Sequence, residues 1–180
     1  MNLSAAGVLA TAFTFVVAVV AVLMYFVPWA RIRPAAALTA LLWLQVPRYV
    51  ALQIFSAREF GFHIPLSMAR EIAWGDVAGA VLAFLAILAL RYRRRVAWVA
   101  LWALVIETLI DLVNATIQGI QNRAYDTAHA VTWIILTFYT PVLWVSLVGI
   151  IWLLVVRGDE LHTGTRAATD AAARAIRSKE

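Results

Sequence analysis

The sequence predicts an all-α integral membrane protein, a bundle of five transmembrane helices. Three observations carry this prediction. Of the 180 residues, 64% are hydrophobic and only 14% are charged. The mean hydropathy of +0.85 is far above that of ordinary water-soluble domains. Five apolar stretches are long enough to cross the roughly 30 Å hydrocarbon core of a bilayer. A water-soluble globule is therefore excluded.

The five predicted spans follow one another with short connections. The first is an apolar run of about 25 residues, and its first charge, Arg31, comes only after the run has ended. The second span carries Pro47, whose ring is expected to kink the helix. The third contains Gly75, Gly79 and Ala83 at four-residue intervals, a ridge of small residues that lets another helix approach closely. The spans are predicted at 3–27, 35–57, 73–91, 96–121 and 127–156.

The segments between and after the spans are more polar. Residues 58–72 mix charged and large apolar side chains, which indicates an interfacial segment with a short amphipathic helix between the second and third spans. The chain turns polar after Arg157, and an Ala-rich stretch with spaced charges predicts a short polar C-terminal helix. We therefore predict a transmembrane domain over 1–157 and a cytoplasmic polar tail over 158–180.

The basic residues are distributed unevenly between the two ends of the spans. Eleven of the fifteen lie in the first and third connections and in the tail, and three lie on the opposite side. Because Lys and Arg are in excess in cytoplasmic loops, we predict that the N-terminus is outside and the C-terminus is cytoplasmic. The basic side chains lie at membrane borders rather than on one face, so we expect membrane lipids and no nucleic acid as partners.

The composition also excludes several kinds of catalytic and cofactor-binding site. The chain has no cysteine, which excludes disulfides, thiolate nucleophiles and iron–sulfur clusters. Its one lysine, Lys179, lies in the tail, so no amine is available for a Schiff base inside the membrane. A Walker loop, a dinucleotide fingerprint and a nucleophile elbow are all absent from the sequence. The sequence therefore identifies no cofactor.

Charged side chains nevertheless occur within the apolar spans. Each of them is expected to have a structural or functional role, because insertion of an Asp or Arg at mid-span costs about 2.5 to 3.5 kcal/mol of free energy. Four polar residues of the fourth span fall within an arc of about 60° on a helix, and they are Glu107, Asp111, Asn114 and Gln118. Arg48 lies in the second span beside the Pro47 kink. We expect Arg48 to be the counter-ion of this polar stripe.

Two further spans add polar and aromatic groups at the same depth. Asp76 lies near the start of the third span, and His129 and Trp133 share one face at the start of the fifth. The simplest arrangement that brings these groups together is a polar and aromatic pocket open to the outside. The predicted ligand-binding residues are Arg48, Asp76, Glu107, Asp111, Asn114, Gln118, His129 and Trp133.

The charges in this predicted pocket do not balance. One arginine cannot neutralise Glu107, Asp111 and Asp76 together, so at least one carboxyl must be solvated, protonated or paired with a bound cation. Aromatic rings and carboxylates together suit an organic cation. The sequence therefore indicates a membrane protein that binds or conducts a cation, a proton or a small cationic amphiphile.

Other interpretations remain open at this point. The polar groups are also consistent with simple interhelical hydrogen bonding. Glu107 or Asp111 would also suit an acid–base enzyme acting on a lipid-soluble substrate. The small-residue ridge would suit a homo-oligomer or an accessory subunit docked on a larger complex. A metal site is not predicted, because neither a His-x-x-x-His nor a Glu-x-x-His spacing occurs around His63 or His129.

Four short motifs resemble a pattern found in small, uncharacterised bacterial membrane proteins. The pattern is an arginine in one helix, a Leu-Pro loop, a Gly-Asp pair opening the next helix and an Asp-Leu-x-x-Ala helix. Here the motifs are Pro47-Arg48-Tyr49, Ile64-Pro65-Leu66, Ala73-Trp74-Gly75-Asp76 and Asp111-Leu112-Val113-Asn114-Ala115. The resemblance covers about residues 40–120 and implies a helical bundle without a known activity. The Arg- and Ala-rich, Lys-poor composition also resembles proteins of high-GC bacteria, which implies a bacterial cytoplasmic (inner) membrane.

Overall fold

The computed structural model describes residues 3–92 and 94–158, and it confirms the all-helical bundle. Five helices in this part of the chain are long and apolar enough to cross a membrane. They are α1 (Ser4–Ile32), α2 (Pro34–Glu59), α3 (Leu66–Tyr92), α4 (Val96–Gln121) and α5 (Ala130–Val156). The chain is therefore a multi-pass membrane protein. Apart from Gly158, the predicted polar tail and its short helix lie outside the described residues.

The connection between α2 and α3 is shorter than the sequence indicates. Residues 66–72, assigned above to the interfacial segment, form the first two turns of α3, and only 60–65 connect the two helices. Pro65 precedes the first residue of α3, a position where its missing N–H costs no intrahelical hydrogen bond. The Arg58 Nε donates to the carbonyl of Ile64 at 3.0 Å and fixes this connection against the end of α2. Helix α3 therefore extends beyond its apolar stretch.

Three of the spans depart locally from α-helical geometry. A 3₁₀ segment, Val46–Gln53, begins one residue before the proline in the middle of α2. A π-helical turn, Val22–Phe26, precedes Pro28 in α1, and a second one, Ile135–Tyr139, precedes Pro141 in α5. Proline removes a backbone donor and displaces the preceding carbonyl, so a local change of winding is the expected response. At the position of the kink predicted in the second span, the helix is thus wound more tightly, as a 3₁₀ helix.

Helices α3 and α4 form the most extensive pair, and the 3₁₀ segment of α2 packs against α3. Helix α5 packs against both α2 and α1. The chain begins on the side of the bundle where the α2–α3 and α4–α5 connections lie, which we call the N-terminal side. The opposite side carries the other two connections and the end of α5. The bundle formed by the described residues thus has two sides, and each of the five helices runs from one side to the other.

Two apolar clusters occupy the two sides of the bundle. The leucine core lies on the side opposite the chain start, and its most buried large members are Leu38, Leu42, Leu101, Leu104, Leu147, Ile150 and Leu153. The cap cluster lies on the N-terminal side and comprises Ile54, Ala57, Phe62, Ile64, Met68, Ala69, Ala73, Ala124 and Ala128. The mid-span charged residues Arg48, Asp76, Glu107 and Asp111 lie at a depth between the two clusters.

Candidate functional site

Arg48 is the centre of a buried charged cluster. Its side chain has no exposed surface. The Nε donates to Oδ1 of Asp76 at 2.8 Å, and Nη1 donates to Oε2 of Glu107 at 3.3 Å and to Oγ1 of Thr108 at 2.8 Å. The Nη2 donates to Oδ2 of Asp111. One guanidinium therefore binds three carboxylates and a hydroxyl from two neighbouring helices, as its planar set of five donors allows.

This cluster contains the counter-ion contact that the sequence predicts. Glu107 and Asp111 lie one turn apart on α4, so both face α2. Asp76 joins them from α3, because Arg48 reaches between the two helices. Thr108, which sequence reasoning did not single out, accepts from Arg48 and donates to Oε2 of Glu107 at 3.2 Å. Its hydroxyl gave no signal in the sequence, since threonine is common in transmembrane helices.

Two glycines of α3 provide the space for the cluster. A Cβ atom on Gly75 would lie 1.9 Å from Oδ1 of Asp111, and one on Gly79 would lie 2.1 Å from Nη1 of Arg48. A side chain at either position would collide with the ion pairs. The ridge predicted as a helix-docking surface is thus occupied by side chains of its own chain, and Ala83, further along it, is fully buried. Docking of a partner through this ridge stays an untested prediction.

The cluster holds more negative than positive groups. Three carboxylates share Arg48, and the described residues offer them no second cation. Two buried acceptors also lack a hydrogen-bond partner among the described residues, Oε1 of Glu107 and Oε1 of Gln45. Gln45 uses only its amide nitrogen, which donates to Oγ of Ser146 at 2.7 Å. Unpartnered buried acceptors are uncommon in proteins and call for a donor.

A cavity of about 550 Å³ adjoins the cluster on the N-terminal side. Asp76 and Asp111 line it, whereas Arg48 and Glu107 do not. The other polar or aromatic members of its wall are Thr11, Phe15, Gln53, Phe62, Thr116, Tyr125, Thr132, Tyr139, Thr140 and Trp144. The rest of the wall is apolar. The volume is within the range of pockets that hold small molecules, so two carboxylates lie at the surface of an otherwise apolar binding space.

The cavity differs from the polar vestibule expected from the sequence. Phe62 and Ile64, from the connection between α2 and α3, line the cavity and are only 3% and 5% exposed. Met68, at the start of α3, lines the same end and is equally buried. The cap cluster thus covers the N-terminal end of the cavity with apolar side chains. This end of the cavity is therefore lined by apolar side chains, where the sequence predicts polar ones.

Four of the predicted site residues lie away from Arg48. The amide of Gln118 donates to Oδ1 of Asn114 at 3.0 Å and to Oε2 of Glu71 at 2.7 Å. His129 is exposed, and its Nδ1 bonds the carbonyl of Thr127. Trp133 packs against the cap cluster. The stripe on α4 therefore divides, with its inner half bound to Arg48 and its outer half bound to the first turns of α3.

The described residues contain no group of His, Asp and Glu side chains suited to a metal ion. The three carboxylates that converge are arranged around a guanidinium, which occupies the central position. Both Asp76 and Asp111 can therefore offer a ligand one further charge-assisted contact from the side that faces the cavity. The arrangement suits a cationic group that approaches from the cavity.

Comparison with known protein families matches residues 6–155 to a family described as Domain of unknown function (DUF8737). The match covers nearly the full length of the five spans and the whole charged cluster. It agrees with the expectation that the chain belongs to an uncharacterised family. The chain matches no curated protein and no solved structure.

Proposed function

The chain belongs to this DUF8737 family, and we propose from its site that it is a membrane-embedded binding protein for small cationic amphiphiles. The ligand places one positively charged group against Asp76 and Asp111 and its apolar body along the cavity wall. The observation that carries the proposal is the position of these two carboxylates, which line an otherwise mainly apolar cavity of about 550 Å³.

The charge of the cluster supports a monovalent ligand. With all groups ionised, Arg48 leaves two of its three carboxylates uncompensated. Glu107 does not line the cavity, and its buried Oε1 has no donor among the described residues, so a proton there removes one surplus charge. The remaining charge is shared by Asp76 and Asp111 and faces the cavity. One ammonium-type group would neutralise it.

Aromatic side chains add to the cation preference of the cavity. Tyr139 and Trp144 of α5 both belong to the wall. Aromatic faces attract organic cations, and the attraction reaches about 2 kcal/mol when the partners are removed from water. The combination of carboxylates, rings and aliphatic walls favours an organic cation with an apolar body over a bare metal ion.

The leucine core favours binding over conduction. Beyond the Arg48 cluster, the side opposite the chain start is filled by large apolar side chains, several of them fully buried. Beyond the buried pair Gln45 and Ser146, the members of this core within the described residues are apolar, so they offer an ion no polar path onward. A cation that reached Asp76 and Asp111 would therefore return the way it came. The leucine core thus closes the inner end of the cavity, which is typical of a binding site rather than a channel.

The proposal predicts that binding depends on the two carboxylates. In nanodiscs, dodecyltrimethylammonium should bind the wild-type protein, and dodecanol, which has the same chain length without the charge, should bind much more weakly. Asp111→Asn, which keeps the side-chain shape, should weaken binding of the cation by about ten- to hundredfold, the usual worth of a hydrogen bond to a charged group. Asp76→Asn should act in the same direction. Calorimetric titration measures these affinities.

Asp126→Asn is the matched control, because Asp126 is an exposed carboxylate on the same side of the bundle and does not line the cavity. Its affinity for the cation should equal that of the wild type. The proposal is wrong if the protein binds the alcohol as tightly as the cation. It is equally wrong if both neutralised variants, folded as judged by their melting temperatures, retain full affinity.

We further propose that the protein lies in a bacterial inner membrane with its N-terminus outside. The distribution of basic residues supports this orientation. Reporter fusions after Arg33, Arg95 and Arg157 should then report the cytoplasm, and fusions near Phe60 and Arg123 should report the outside. The inverse pattern would place the cavity in the cytoplasmic half of the membrane and contradict the proposed orientation.

A further inference from the structure

We infer that the ligand reaches the cavity sideways from the bilayer, through an opening between α1 and α4, so that it is an amphiphile already dissolved in the membrane. This inference rests on the proposed function, since it concerns the access route to the same cavity.

The exposure of the lining residues locates the opening. From α1 and α4, the lining residues Val8 and Ile120 are 57% and 70% exposed, and Ala12 and Thr116 are also exposed. The lining residues from α2, α3 and α5 are buried or half-buried, for example Ile54 of α2 and Ile72 of α3, and none of them is exposed. A residue that lines a cavity and also reaches the outer surface lies at the rim of an opening. The rim therefore consists of α1 on one side and α4 on the other.

The packing of α1 agrees with this location. Helix α1 packs against α5 and against the turn Ala124–Thr127, while α1 and α4 make no extensive contact within the described residues. A Cβ atom on Gly119 of α4, which also lines the cavity, would meet nothing within 4 Å. The space between the two helices is therefore unfilled by protein.

The opening is closed towards the N-terminal end of the bundle. There Tyr125 packs on Gly7, where an added Cβ would lie 2.5 Å from its ring, and its hydroxyl donates to Oγ1 of Thr11 at 2.8 Å. Thr11 in turn donates to the carbonyl of Gly7. This contact fastens the start of α1 across the end of the cavity, beside the cap cluster. The unobstructed side then faces lipid rather than water.

The depth of the rim matches the hydrocarbon region. Thr116 lies five residues before the last residue of α4, which is about 7.5 Å along a helix. Asp111 lies five residues further in. A headgroup that passes between α1 and α4 would meet the carboxylates while its alkyl chain remains in the opening or the membrane. A membrane-dissolved amphiphile with one positive group fits this geometry, and a water-soluble cation does not.

The absence of cysteine from the sequence allows a direct test. Thr116→Cys and Ala12→Cys place a single thiol on either side of the rim, and a bulky maleimide attached there should obstruct the opening. We expect the labelled variants in nanodiscs to bind dodecyltrimethylammonium at least about tenfold more slowly than their unlabelled forms. For the unlabelled protein, the rate should follow the mole fraction of the probe in the bilayer rather than its concentration in water.

Ile117→Cys and Phe13→Cys are the matched controls. Both residues are exposed neighbours on the same helices, at 49% and 71%, and neither lines the cavity. Their labelled forms should bind at the unlabelled rate. If rim and control variants bind equally fast after labelling, or if the rate follows the aqueous concentration, lateral access is overturned while the binding function stands. If the unlabelled protein does not bind the probe, the proposed function itself fails.

Discussion

Arg48→Ala is expected to destabilise the protein by about 3 to 5 kcal/mol, the cost of leaving buried carboxylates without their partner. The reason is that Asp76, Glu107 and Asp111 all use this single guanidinium, which is fully buried. Arg48→Lys should recover part of the loss. An ammonium group keeps the charge, but it lacks the planar set of donors that reaches three carboxylates at once. Unfolding of the purified protein in mixed detergent measures the difference.

Arg70→Ala is the control for loss of an arginine as such, because Arg70 is exposed at the start of α3. It should change the free energy of unfolding by no more than about 0.5 kcal/mol. A double-mutant cycle between Arg48→Ala and Asp111→Asn should show a coupling of about 1 to 3 kcal/mol. Additive effects in cycles with all three carboxylates would contradict the ion cluster described here.

The spans and the central ion pair could be predicted from the sequence for the same physical reason. Hydrocarbon penalises exposed polar groups so strongly that apolar length locates a helix and an isolated charge must find a partner. That reasoning placed Arg48 opposite Glu107 and Asp111, and the structure has all three in contact. The penalty also identified Asp76 as a member of the same group.

The rest of the site depends on how the helices cross, which a single sequence does not reveal. Asn114 and Gln118 share a helical face with Asp111, but Gln118 bonds Glu71 at the polar start of α3, and Asn114 accepts from Gln118. Helical periodicity gives the face of a residue and not its neighbour at each depth. The glycine ridge predicts a docking surface from the sequence, because small residues look alike there whether they admit a helix or a guanidinium.

The covered end of the cavity could not be anticipated either. Phe62 and Ile64 belong to a connection that the sequence places at the membrane interface, where large apolar side chains are ordinary. Only the folded chain shows that they turn inward over the cavity. Polarity thus grouped Arg48 with its three carboxylates, as the structure has them, whereas the cover of the cavity depends on contacts between distant segments.

Gly79→Ala is expected to destabilise the protein by about 1 to 3 kcal/mol through overpacking alone. Its Cβ would lie 2.1 Å from Nη1 and 2.5 Å from Cζ of Arg48 and 2.8 Å from Oε2 of Glu107. Arg48 has no free volume to retreat into, because it is fully buried and bonded on every side. A shift of the guanidinium would lengthen several ion pairs at once and add to the loss. The free energy of unfolding and the affinity for the cationic probe should both fall.

Gly119→Ala is the matched control, since it makes the same change in a neighbouring transmembrane helix where nothing lies within 4 Å of the new Cβ. It should be neutral or stabilise the protein by up to about 1 kcal/mol, because alanine is the better helix former. The pair of variants also separates the two interpretations of the ridge. If Gly79→Ala leaves the unfolding of the monomer unchanged and instead dissociates an oligomer, the ridge is a docking surface and not the space that holds Arg48.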